Sequence, residues 1–263
     1  MPSTFDGLPI INDETPNNAF VFPDPRNYGR GLDLSLRTAE GYGANADQFP
    51  SELLIPSSEY QARIQERKER KQTIRDLVAY YDWPCKNQAQ TNYCWINAPT
   101  YLTEVMRLIQ GQSPVSLSPA SGGAVIKGYQ NVGGWGNEAL KFISNTGLVP
   151  SSNWPDAAIN RQYKTPETDA MRASYRVTEW WELTPRNMNQ LVSALLRNIP
   201  VAVGYNWWAH EVSIEDVDWV DGTIALVMRN SWGMSWGTKG YSILQGNKMV
   251  ADDAVCPRVA VAA

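Results

Sequence analysis

Chemistry in this 263-residue chain centres on Cys94. It follows Gln88-Ala89-Gln90-Thr91-Asn92-Tyr93 and opens a run in which Trp95, Ala98, Tyr101, Leu102, Val105 and Leu108 recur at helical spacing. A thiol at a helix N-terminus meets unpaired backbone N–H groups and the positive end of the macrodipole, and both favour the nucleophilic thiolate. Such a nucleophile needs a base, and the sequence holds a single histidine, His210. Asn230 follows twenty residues later, in Asn230-Ser231-Trp232-Gly233, and Gln88 stands six residues before the thiol. Together these groups suit acyl transfer through a covalent thioester.

The four residues lie far apart in the chain, so a scaffold must bring them together. Residues 94–110 read as a helix ended by Gly111, and 137–145 as a shorter one stopped by Gly147. Residues 149–166, with their Pro and Asn content, read as a crossing between lobes. The pattern then turns to strands at 176–181, 200–205, 211–219, 223–229 and 240–245, with Asp221-Gly222 as a hairpin turn. One more helix follows Thr184-Pro185 and buries Met188, Leu191, Val192, Leu195 and Leu196. An α+β body is therefore expected over residues 81–263, helical to about 160 and β-rich afterwards.

Residues 1–80 read differently. As far as residue 56, Pro9, Pro16, Pro23, Pro25, Pro50 and Pro56, with Gly29, Gly31, Gly41 and Gly43, interrupt every periodicity. An arm of this composition cannot fold alone, because nothing offsets the entropy of ordering it. Three placements stay open: wrapped around its own body, laid over the cleft as a prosegment, or threaded into neighbouring subunits of a large assembly. Residues 57–80 predict one helix capped by Ser58, with a thin stripe of Tyr60, Ile64, Ile74, Leu77 and Val78. Its run Glu66-Arg67-Lys68-Glu69-Arg70-Lys71 suits a solvated face, or a docking surface.

Composition bounds the partners. With 43% hydrophobic residues, 19% charged residues and a net charge of −4, the chain suits a globular body with no default affinity for nucleic acid or anionic membranes. It shows no apolar run of about 18 residues and no charged-then-apolar leader, so neither a membrane span nor a Sec-type signal is expected. Three cysteines are too few for a disulfide framework or a zinc site, and at most Cys85 and Cys256 pair. No metal or organic cofactor is expected. Eleven Trp and twelve Tyr predict an aromatic interior and cleft.

The segment from Gln88 through Trp95, together with Asn230-Ser231-Trp232-Gly233-Met234-Ser235-Trp236-Gly237-Thr238-Lys239-Gly240-Tyr241, resembles the papain family of cysteine peptidases. The resemblance covers about residues 82–245. It implies a papain-like two-lobe α+β fold, one lobe helical and the other a twisted antiparallel β-barrel-like sheet, with the cleft between them. It implies Cys94 as nucleophile, His210 as its base in a thiolate–imidazolium pair, Asn230 as the residue orienting the imidazole, Trp232 as its shield and Gln88 as oxyanion donor. Gly133-Gly134 matches a backbone ledge on which an extended peptide or protein substrate pairs, and Trp135 beside that ledge, with Trp207 and Trp208 just before the base, is expected to line the main specificity pocket. The activity so implied is hydrolysis of peptide bonds through a Cys94 acyl-enzyme. The alternative is a structural component of a larger assembly, such as a bacteriophage virion, and a cytoplasmic or virion-associated location fits either.

The chain also departs from the family pattern. The family's glycines between oxyanion Gln and Cys are replaced, and Tyr93 is expected to narrow the approach to the thiol. Thr91 and Asn131 stand where one family disulfide pair would sit. The Cys94–His210 separation falls short of the roughly 130–150 residues usual for this arrangement, which implies a trimmed β lobe.

Overall fold

A computed structural model describes residues 4–17, 28–33 and 46–261 of the chain. Its pillar is helix α3 (Cys94–Ile109), buried at every position from Cys94 to Leu108. A helix buried on all sides must be surrounded, and this one packs on α5 (Gly136–Asn145) and α4 (Pro119–Ile126) on one flank. Strands β8 (His210–Val220) and β11 (Asp253–Ala260) cover the other. Buried Glu104 on α3 pairs with Lys86 at 2.6 Å and accepts from the Leu117 N–H at 2.6 Å and the Trp83 indole at 3.0 Å. These bonds satisfy a carboxylate that burial would otherwise make costly, and they pin the segment leading into Gln88.

Among the described residues one nine-stranded sheet runs in the order β1-β2-β10-β9-β8-β7-β11-β6-β3. Its centre is antiparallel, from β6 (Val177–Leu183), β7 (Val201–Tyr205), β8, β9 (Thr223–Arg229), β10 (Tyr241–Leu244) and β11. Strand alternation divides the side chains between two faces. Ala202 and Val255 meet α3 and α5, whereas Val201, Val203, Ala254 and Cys256 join the core under α7 (Met188–Leu196). The β8–β9 turn at Asp221-Gly222 has φ of 49° and 81°, the left-handed pair that a tight hairpin requires. Two short strands, β4 (Leu117–Ser118) and β5 (Val149–Pro150), pair beneath the helical lobe, and α6 (Pro166–Met171) follows the crossing.

The expected two-lobe α+β architecture is present, but the sheet is open rather than barrel-closed. Both of its edges come from the N-terminal arm. Strand β1 (Thr4–Phe5) pairs with β2 (Leu8–Ile11), β2 pairs in parallel with β10, and β3 (Ala46–Gln48) pairs in parallel with β6. The described strands of the arm are wrapped on its own body.

Other expectations change in detail. Residues 57–80 form two helices, α1 (Tyr60–Glu69) and α2 (Ile74–Tyr80), rather than one capped at Ser58. Lys71 turns left-handed at φ 52°, and Thr73 begins α2 with a reciprocal capping box to Asp76. Arg67 reaches Asp216 at 2.9 Å and Lys68 reaches Asp218 at 2.9 Å, so part of the charged run docks on β8. Helix α7 is capped by Asn187, past the expected Thr184. The Ser-, Pro- and Gly-rich stretch after Gly111 contains α4, and β11 had no sequence signal of its own. All three cysteines are free thiols, so Cys85 and Cys256 are not paired.

The capping box at Thr73 holds α2 against α3. Thr73→Ala should cost about 1 kcal/mol, read as a fall in Tm of roughly 2–4 °C by calorimetry.

Candidate active site

Each candidate group is placed by a different element. Cys94 is the first residue of α3, with its thiol fully buried. His210 is the first residue of β8, held opposite Tyr205 by the short β7–β8 turn. Asn230 follows β9 and hydrogen-bonds Gly240 through its backbone at 2.9 Å. Strand β8, which begins with His210, packs on α3, which begins with Cys94.

The Asn230 side chain settles the tautomer. Its Oδ1 accepts from the Ser231 N–H at 2.8 Å, which fixes the amide orientation, and lies 2.8 Å from His210 Nε2. An acceptor at Nε2 puts the proton there and leaves Nδ1 as the bare base. Among the described residues Nδ1 has no hydrogen-bond partner. Trp232 lies 4.6 Å from the imidazole ring and Trp208 4.9 Å, and both exclude water from the Asn230 bond.

Gln88 is locked as firmly. Its backbone N–H donates to Ser231 O at 2.8 Å, the Ser231 hydroxyl donates to Oε1 at 2.5 Å, and the buried Nε2 donates to Thr91 O at 2.9 Å with its second proton left for another acceptor. The sequence reading missed Ser231 in this role, although it sits beside Asn230 and a hydroxyl there can reach a neighbouring amide.

The same amide binds the chain's own arm. Gln88 Nε2 donates to Gly29 O at 2.8 Å, and Trp232 Nε1 donates to the same oxygen at 3.2 Å. The Gly29 N–H donates to Ala89 O at 3.0 Å, and Tyr28 stacks on Trp232 at 5.2 Å. The Gly31 backbone hydrogen-bonds the Cys94 thiol. Gly31 O then accepts from the Gly134 N–H at 2.8 Å, and Asp33 N–H donates to Gly134 O at 2.9 Å. Leu32 is thereby bridged in parallel to Gly134. Glycine is required on the arm: a Cβ at residue 29 would overlap the Thr91 carbonyl oxygen, and one at residue 31 that of Asn92. The sequence reading noted both glycines only as breaks in periodicity.

Burial sets the charge state of this covered site. It pushes the Cys94 thiol up to about 12, with the Glu211 carboxylate adding to the rise against backbone hydrogen bonds to Glu211, Gly31 and Trp95. It pushes His210 down to about 3, against the Asn230 hydrogen bond and with help from Arg30. The expected thiolate–imidazolium pair is therefore a neutral thiol beside a neutral imidazole while residues 28–33 cover it.

The remaining sequence candidates separate. Gly133 and Gly134 lie against the arm backbone, and half-buried Trp135 precedes α5. Trp208 stands beside His210, among Trp207, Trp232 and Trp236 at 5.2, 5.5 and 6.4 Å. Tyr93 turns away from the thiol, buried with its hydroxyl donating to Gln130 O at 2.7 Å. Asn131 accepts from the Asn92 N–H at 2.6 Å and donates to Gln90 O at 3.2 Å, tying by hydrogen bonds the loop that a disulfide ties in the family pattern. No His, Cys, Asp and Glu grouping fit for a metal occurs among the described residues.

The chain is similar to known proteins in sequence and in fold. No family model matches the chain. A cysteine protease of Blomia tropicalis is 25% identical over 211 residues, covering 66% of this chain and 62% of that protein. Mouse cathepsin O is 27% identical over 199 residues, covering 63% and 62%. Papaya chymopapain is 25% identical over 183 residues, covering 62% and 51%. The chain thus spans between half and two thirds of these relatives' length. Among solved structures, the ragweed pollen cysteine protease Amb a 11 in its proform superposes with a TM-score of 0.62 at 17% identity, over 93% of this chain and 77% of that one. Procathepsin L2 from Tenebrio molitor gives 0.59 at 20%, over 89% and 84%. The fold is papain-like, and the chain is a relative of the papain-family cysteine proteases.

The charge states predict a specific pH profile. In the intact chain, alkylation of Cys94 should climb with pH through the alkaline range without an acid-side plateau, since thiolate appears only as pH approaches the raised pKa. Glu211→Gln removes a neighbouring negative charge, so it should lower that pKa and speed alkylation at pH 8. A rate already level between pH 5 and 8 would show instead that the ion pair persists under the arm.

Proposed function

We propose that the chain is a papain-like cysteine endopeptidase, held latent by residues 28–33 of its own arm. The observation that carries the reading is the His210–Asn230 hydrogen bond, which leaves Nδ1 without a partner among the described residues, together with the Gln88 amide held by Ser231. Relatives named as cysteine proteases support it. They give no support to a component of an assembly, which is set aside.

With the arm out of the cleft, water returns and both burial shifts relax, so the thiol can pass its proton to His210 Nδ1. The Cys94 sulfur then attacks a peptide carbonyl carbon, and the oxyanion is held by Gln88 Nε2. Collapse breaks the C–N bond, and the imidazolium gives its proton to the leaving amine. A water molecule, deprotonated by the same Nδ1, hydrolyses the thioester and restores the thiol.

The arm acts as an inhibitor in this scheme by holding Gln88 Nε2 on the Gly29 carbonyl, away from a substrate.

Gly31→Ala tests the scheme. Overlap with Asn92 should cost about 1–3 kcal/mol of arm docking, raising Cys94 labelling and peptide hydrolysis roughly 5- to 150-fold over the intact chain. Cys94→Ala in that background should abolish turnover, and Gln88→Ala should lower kcat by about 10²–10³. Labelling without any peptide hydrolysis would remove the peptidase reading.

A further inference from the structure

The two ends of the arm are held far more strongly than the part that crosses the cleft. Strand β2 is a core strand: Leu8 is 1% exposed, Ile10 4% and Ile11 1%. Leu8 and Ile10 pack with Val220, Ala225, Val227 and Ile243, and Ile11 joins the main core under α7. The register sets Ile10 against Ile243 and Ile11 against Leu244. Side chains of the body reach the arm backbone as well, from Thr238 Oγ1 to Gly7 O and from Ser242 Oγ to Pro9 O, both at 2.7 Å. The Gln245 N–H donates to Ile11 O at 2.9 Å. Beyond the strand, the Asp13 carboxylate accepts from the Asn247 N–H at 2.9 Å and from its side-chain amide at 3.0 Å. Gly246 beside it is left-handed at φ 68°, and a Cβ there would crowd that carboxylate.

The downstream end is also fixed. Strand β3 pairs with β6, and Phe49 and Ile55 enter the main core, Phe49 edge-on to Trp181 at 5.1 Å. The cleft segment between them has one well-buried side chain, Leu32. Its other described ties are backbone hydrogen bonds, bare glycine contacts, the half-buried Tyr28 stack on Trp232 and a long bond from Arg30 to Trp208 O at 3.4 Å. The backbone hydrogen bonds are ones that any extended peptide entering the cleft can replace, whereas no peptide in the cleft replaces the apolar surface β2 covers.

We infer that β1 and β2 are permanent strands of the catalytic body, so that freeing the cleft of residues 28–33 leaves residues 4–13 bound to β10. The inference rests on the proposed function only in taking the covered cleft as the latent state. A chain cut between Ile11 and Ala46 is then a two-chain protein, its short chain completing the sheet edge. An uncut chain opens only by lifting a strap fixed at both sheet edges.

The test uses the full chain with a specific protease site inserted between Asn17 and Tyr28 and a second between Asp33 and Ala46. After cutting, native gel filtration with intact-mass analysis reads which fragments stay. The expected result is co-elution of the N-terminal fragment with the body and loss of the fragment carrying Tyr28 to Asp33. Separation of the N-terminal fragment from a body that remains folded and monodisperse would overturn the inference, as would equal retention of both fragments. Leu8→Asp in the cut chain should release the N-terminal fragment and lower Tm. Its undiminished retention would also overturn the inference, since the buried face would not be what holds it. Peptide hydrolysis is read separately: a body that retains the N-terminal fragment but never hydrolyses peptide supports the permanent strand and sinks the peptidase reading.

Discussion

The packing of α3 against β8 is the constraint on which the site depends. A helix buried from Cys94 to Leu108 leaves its first turn no freedom to move relative to the strand that begins with His210. Nucleophile and base thus owe their proximity to side chains that take no part in chemistry, such as Ala98, Leu102 and Val105. The polar contacts add direction to that proximity. The Ser231 N–H orients Asn230, Asn230 orients His210, and the Ser231 hydroxyl orients Gln88. One loop residue therefore sets both the base and the oxyanion donor, which couples two functions that the sequence lists as separate residues.

Legibility in the sequence follows from how each feature is encoded. Cys94, His210, Asn230 and Gln88 stand out because few residue types can do their chemistry and the chain holds one histidine. The strands from 201 to 229 carry their own hairpin turn and a continuous apolar pattern, so local rules suffice. Strand β11 does not: Asp253–Ala260 contains Pro257 and lies between β6 and β7, far earlier in the chain, so its state is decided by partners. The break between α1 and α2 is similar. Helix propensity favours continuing through 70–73, and tertiary ties from Arg67 and Lys68 to β8, with the Thr73 cap, override it. Helix α4 carries Gly122 and Gly123 against propensity because Ile96 and Tyr93 leave no room for a Cβ.

The arm was the least legible part, for a physical reason. Four residues, Leu-Pro-Ile-Ile, are too short to signal a strand alone, and their partner Ile243-Leu244 lies at the other end of the chain. The glycines at 29 and 31 resemble linker residues until the carbonyls of Thr91 and Asn92 are seen against them. A bare residue read as flexibility is here close backbone contact.

Covering a thiol in this way inactivates it twice. Occupation of the Gln88 amide by Gly29 denies a substrate carbonyl its oxyanion donor. Exclusion of water raises Cys94 and lowers His210, so even a small reagent that slipped past the arm would meet a thiol. The second effect needs no contact with the substrate site and reverses as soon as solvent enters, because it belongs to the dielectric rather than to any one bond. Steric and electrostatic latency therefore share one cause, the seating of six residues. The Ser231–Asn230–His210 alignment is already in place beneath the arm.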